Sequence, residues 1–100
     1  MNFIYEKMKD YIPSQTCLKC REDGDFLIVR TEENAIEYFN MTAKDFYLLV
    51  DGKRSLQEIT AEMLAMYEVD PEILENDLVE LVRDLQWKGF LAFQEKKEEP

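Results

Sequence analysis

The hydrophobic period of this chain changes from two to about 3.6 at Asn40, and that change constrains the fold more than any other feature of the sequence. Before it, apolar residues alternate, as in strands whose side chains point to opposite faces in turn. Phe26, Ile28 and Arg30 fall on one face of such a strand, and Leu27 and Val29 on the other. Residues 16–22 and 26–30 flank Asp23-Gly24, a dipeptide with easy access to positive φ, and this predicts a tight β-hairpin. Residues 31–34 are polar and turn-like. Residues 35–39 then read as a third strand, with Ile36 and Tyr38 on one face and Ala35, Glu37 and Phe39 on the other.

After Asn40 the period becomes helical. Ala43, Phe46, Tyr47 and Val50 stand at i, i+3, i+4 and i+7 of an amphipathic helix that Asn40 or Thr42 can cap. Gly52 ends it, and Ser55 with Glu58 forms a capping box for a second helix carrying Leu56, Ile59, Met63, Met66 and Tyr67, expected to stop near Glu68. Asp70-Pro71 opens a third, because an Asp cap satisfies an orphan amide and proline has none to satisfy. Its apolar stripe is Leu74, Leu78, Leu81, Val82 and Leu85, and Gly89 closes it. Residues 90–94 read as a short final strand.

Strands followed by helices make an α+β fold, and 100 residues with 46% apolar content support one core without disulfide or metal staples. Residues 14–94 are the expected domain and residues 95–100 a solvated tail. Residues 1–13 are taken as an N-terminal arm: Phe3, Ile4, Met8, Tyr11 and Ile12 have helical spacing on a segment too short to hold a helix unless it docks. Glu6, Lys7, Lys9 and Asp10 deny this arm the apolar run of a signal peptide, and no stretch reaches the roughly 18 apolar residues of a membrane span. A cytoplasmic location is expected. The formal charge of −10 repels nucleic-acid phosphates and anionic lipid headgroups.

Chemistry-bearing residues are sparse. The chain has no His, the commonest general base and metal ligand, and no nucleophile with a base, phosphate loop or metal cage, so neither catalysis nor a cofactor is expected. Cys17 and Cys20 have the spacing of a metal or redox pair but lack the further ligands of a zinc site and do not lead into a helix. On a strand they would face opposite sides, so they are expected to be ordinary reduced cysteines. The aromatic set Phe26, Tyr38, Phe39, Phe46 and Tyr47 is expected in the core rather than around a ligand. Trp87 lies off the third helix's stripe, partly exposed or packed on Phe90 and the arm.

A three-stranded antiparallel sheet followed by three helices, with an Asp51-Gly52 passage between the first two, is the order of a winged helix-turn-helix domain. Four features make the resemblance narrower: the helix start Asn40-Met41-Thr42-Ala43, the Asp51-Gly52 turn, the Asp70-Pro71-Glu72 start of the last helix, and the ending Gly89-Phe90-Leu91. In these the chain resembles the PqqD family. The resemblance implies a RiPP recognition element, which captures the leader of a ribosomally made precursor peptide and presents it to a separate maturation enzyme, in this family often a radical iron–sulfur enzyme. It also implies that the leader adds as a strand to the third strand and lies against the third helix. The upstream third of the chain departs more from the family pattern.

The residues support that mechanism on their own. In a one-two-three meander, residues 35–39 form an edge whose outward amides and carbonyls an extended peptide can satisfy. The expected peptide-binding residues are therefore Ala35, Ile36, Glu37, Tyr38 and Phe39 on the strand, with Leu74, Asp77, Leu78, Leu81 and Asp84 on the helix. Ile36, Tyr38, Leu78 and Leu81 would supply apolar pockets, while Asp77, Glu80 and Asp84 share one flank that suits a basic leader. A homodimeric or protein–protein module using the same edge is the alternative. A DNA-binding regulator ranks last, since the third helix sets only Arg83 and Lys88 against six acids.

Overall fold

The computed structural model describes residues 2–17, 19–31 and 35–94. In chain order the elements are α1 (Phe3–Met8), β1 (Ile12–Gln15), β2 (Lys19–Asp23), β3 (Phe26–Arg30), β4 (Ile36–Asn40), α2 (Met41–Leu49), α3 (Leu56–Met66), α4 (Pro71–Trp87) and β5 (Leu91–Gln94). The expected tail at residues 95–100, and residues 32–34 of the expected turn, lie outside the described residues.

The meander forms as the alternation requires: β2, β3 and β4 make an antiparallel sheet in that order. Asp23 faces Phe26 across the hairpin, so the two-residue loop is Gly24-Asp25, with Gly24 at φ +61 where such a loop needs glycine. Helices α3 and α4 also start where their caps predict. Ser55 and Glu58 exchange both bonds of the capping box, and the Asp70 carboxylate accepts from the Glu72 amide beside Pro71. At the far end of α4, Gly89 at φ +86 turns the chain so that the Phe90 amide donates to the Leu85 carbonyl.

Two expectations change. The first strand of the meander, read as residues 16–22, is β2 at Lys19–Asp23, and an unexpected strand precedes it: β1, at Ile12–Gln15, pairs with β5 in a separate two-stranded ribbon. The Thr16 hydroxyl donates to the Gly89 carbonyl at 2.8 Å, 73 residues away in sequence, and its amide donates to Phe90. Alternation predicts extended chain but carries no information about which distant strand completes it.

Nor is the N-terminus a free arm. Tyr5 of α1 is buried, its hydroxyl donates to Thr60 Oγ1 at 2.9 Å, and the Thr60 hydroxyl in turn donates to the Leu56 carbonyl. The Leu56 and Gln57 amides at the start of α3, orphaned by helix geometry, donate to the Tyr11 and Lys9 carbonyls. The boundary drawn between residues 13 and 14 thus falls inside β1.

The core lies between the inner face of the sheet and the helices. Leu27, Val29 and Phe39 meet Phe46, Tyr47, Leu56, Ile59, Met63, Leu78, Val82, Leu85 and Phe90. The Phe39 ring packs edge-on against Tyr47 and Phe90, and the buried Tyr47 hydroxyl donates to the Phe90 carbonyl at 2.7 Å. Burial pushes the Tyr47 phenol far above its ordinary range, consistent with a structural rather than a titrating role.

Candidate functional site

Among the described residues β4 is hydrogen-bonded to a neighbour on one side only. Register then decides which of its main-chain groups are open. In an antiparallel pair, opposed residues alternate between those that exchange both hydrogen bonds and those that exchange none. The Thr31 amide donates to the Ala35 carbonyl at 3.0 Å, which puts that pair in the bonded phase, and the pairs Val29/Glu37 and Leu27/Phe39 follow in the same phase. Ala35, Glu37 and Phe39 therefore spend their main-chain groups within the domain. Ile36 and Tyr38 aim theirs at the open edge.

Side chains of β4 alternate with the opposite consequence. Phe39 is buried in the core and Glu37 is half-buried on the inner side, while Ile36 and Tyr38 stand exposed on the outer face. Glu37 reaches α4: its carboxylate pairs with Lys88 Nζ at 2.7 Å, and Lys88 also pairs with Asp84 at 3.2 Å. These two carboxylates raise the Lys88 pKa above its ordinary value, Glu37 first and then Asp84. The pair joins β4 to the C-terminal end of α4. On the helix, Asp77, Leu81, Asp84 and Lys88 share one flank at 100° per residue, with Leu81 half-buried and Asp77 and Asp84 exposed.

The expected site residues are accordingly only partly brought together. Leu74 and Leu78 are buried at 3% and 0% exposure and pack into the core beneath α4. Phe39 is buried with them, and Ala35 has both its main-chain groups bonded to Thr31. Ile36 and Tyr38 lie on the opposite side of the sheet from Leu81 and do not complete a pocket with it. The structure brings together an open backbone at Ile36 and Tyr38 and the ion pairs of Glu37, Lys88 and Asp84, with Leu81 and Asp77 further along the same flank of α4. Lys88 is the member that the expectation lacked. A basic residue just before the closing Gly89 signals a helix end, but only the fold brings it to β4.

Of the two cysteines only Cys20 lies on a strand. Cys17 precedes β2, so strand alternation does not govern its direction, and its thiol lies beside that of Cys20. Burial, and then the Cys17 thiol, raise the Cys20 pKa, and both cysteines are free. Among the described residues no three His, Cys, Asp or Glu side chains are gathered as a metal would require. Nor is any helix among them long and apolar enough to cross a membrane.

The structure thus defines a class of fold: an α+β domain that packs its helices on one face of a three-stranded sheet and leaves one strand edge open beside a helix flank. Within that class the chain belongs to the PqqD family: the family described as Coenzyme PQQ synthesis protein D (PqqD) matches residues 28–91, from β3 through α4 to the start of β5. Among solved structures, TbiB1 in complex with the TbiA(beta) leader peptide is similar in fold. Its TM-score is 0.69 at 20% sequence identity, covering 74% of this chain and 87% of that one. No curated protein matches the chain.

Proposed function

We propose that this protein is a non-catalytic adaptor that captures the leader of a ribosomally made precursor peptide by strand addition to β4 and presents it to a separate modifying enzyme. The observation that carries the reading is the open main chain of Ile36 and Tyr38 at a strand edge. Membership in the PqqD family supports it, as does a fold shared with TbiB1, a protein held in complex with a leader peptide. Backbone bonds to two residues supply affinity without choosing a sequence. Choice then comes from leader side chains that alternate between the two sides of the new strand. Those on the inner side meet Leu81 and the carboxylates of Asp77 and Asp84, which favours apolar and basic residues there. Lys88, held between Glu37 and Asp84, limits how much positive charge that side accepts. A cytoplasmic setting accords with two free thiols side by side.

Strand addition makes a phase-specific prediction. Proline removes an amide, so proline at leader positions that donate to β4 abolishes capture, while proline at the alternate positions is tolerated. Titration of the two proline series, followed by isothermal calorimetry, tests this directly. If both bind as the unsubstituted leader does, strand addition is wrong. If the protein instead self-associates through β4 and ignores every leader, the homodimeric alternative replaces it.

A further inference from the structure

The face of the β2–β3–β4 sheet turned away from the helices has a composition that the capture edge does not explain. Cross-strand register sets Lys19, Arg30 and Ile36 in one row and Arg21, Ile28 and Tyr38 in the next, with Phe26 beyond them. Phe26, Ile36 and Tyr38 are 48%, 58% and 67% exposed, which makes a contiguous apolar surface rather than scattered side chains. Two shallow depressions share Ile28 as their divide. One, of about 220 Å³, is lined by Lys19, Cys20, Arg21, Ile28, Arg30 and Ile36; the other, of about 190 Å³, is lined by Asp23, Phe26, Ile28 and Tyr38.

The charges on this face run against the rest of the chain. Lys19 stands directly opposite Arg30, a like-charge pairing that disfavours the sheet, and Arg21 is close by. None of the three has an ion-pair partner among the described residues, although the chain carries 22 acids against 12 bases. Edge lysines and arginines often serve only to discourage unwanted strand pairing. That accounts for Lys19 and Arg21 on β2, but not for Arg30 on the central strand.

We infer that this outer face is a docking surface for a second protein whose contact region sets apolar side chains among carboxylates. Identifying that protein as the modifying enzyme rests on the adaptor reading above. Apolar centres ringed by arginine and aromatic residues are typical of such interfaces, and the missing carboxylates are what the three unpaired cations would meet. A second copy of this chain fits less well, because Asp23 is the acid its own outer face brings to the two depressions. A leader strand on β4 would extend this face by one row, so the partner would meet adaptor and leader together.

The probe is a synthetic peptide in which Phe and Leu alternate with Asp and Glu, interrupted by prolines so that it cannot pair with β4. Its counterpart carries Lys in place of every acid. Titration at low salt, followed by NMR of the full chain, should shift resonances of Phe26, Ile28, Arg30, Ile36 and Tyr38 with the acidic peptide and leave them still with the basic one. Combining Arg21→Glu with Arg30→Glu should weaken the acidic peptide about tenfold or more, since each exposed pair turns from attraction to repulsion. Leader capture, read at the Ile36 and Tyr38 amides, should survive the same changes. Equal binding of both peptides, shifts confined to α4, no binding, tighter binding of an oligothymidylate, or self-association through this face would each overturn the inference. Failure of a leader to protect the two amides would instead remove the adaptor reading, and the acidic peptide's effect would stand without it.

Discussion

Amide hydrogen exchange along β4 should split by residue parity, because register spends every second main-chain group on β3. In the free protein the Ile36 and Tyr38 amides should exchange near the rate of an unstructured chain. The Glu37 and Phe39 amides, bonded inward, must wait for β4 to part from β3. If that opening costs about 4 kcal/mol, within the roughly 5–15 kcal/mol of a whole domain, they exchange about a thousandfold more slowly. Adding leader peptide to about 100 times its dissociation constant occupies all but about 1% of the sites, so exchange at Ile36 and Tyr38 should slow about 100-fold. Two-dimensional NMR after transfer to heavy water reads the four amides separately. Strong protection of Ile36 and Tyr38 without peptide would show the edge already covered. Protection gained at Glu37 and Phe39, with none at Ile36 and Tyr38, would refute the register on which the site is built.

The buried N-terminus makes a stability prediction: Tyr5→Ala should cost about 3–5 kcal/mol, as for other buried aromatics cut to alanine, whereas Tyr5→Phe should cost about 0.5–1.5 kcal/mol. The difference arises because phenylalanine keeps the buried ring and loses only the hydroxyl bond to Thr60, whose own bond to the Leu56 carbonyl survives in both variants. At about 4–8 °C per kcal/mol, thermal unfolding separates the two variants, and equal midpoints would contradict the docking of α1. Reversing Asp77, Glu80 and Asp84 to lysine should slow association of a basic leader at low salt by up to about 1 kcal/mol per exposed pair; unchanged stopped-flow rates would exclude the acidic flank from recognition. Acid sensitivity should involve Asp51, whose carboxylate accepts from the Arg54 and Lys53 amides and is held below its ordinary pKa by those bonds. A depressed pKa contributes stability above the unfolded value of about 3.9 that is lost as pH falls through the folded value, so Asp51→Ala should flatten the acid limb of a stability–pH curve. The site is exposed, and the effect should stay within about 1 kcal/mol.

Local signals carried most of the elements. The Ser55–Glu58 box, the Asp70-Pro71 start and the three glycines at Gly24, Gly52 and Gly89 are each settled within a few residues of chain, and all appear where their chemistry puts them. The site was less legible. Leu78 belongs to the apolar stripe of α4 whether it lines a groove or fills a core, and the helical wheel does not distinguish the two; packing against the sheet made it core. The same holds for Phe39. The aromatic set expected in the core divided by strand parity, with Phe39, Phe46 and Tyr47 inside and Phe26 and Tyr38 outside.

By itself, then, the order of residues determined that a meander precedes three helices and that the third strand of that meander could be an edge. These follow from periodicity and capping, which act over a turn or a strand at a time. Only the tertiary structure decided that the N-terminal segment is part of the core, that a strand at its end pairs with β5, that Lys88 links β4 to α4, and which two amides of β4 are open. Each of those depends on a partner far away in the chain. Contacts of that kind form only where the whole fold brings two surfaces to the same place.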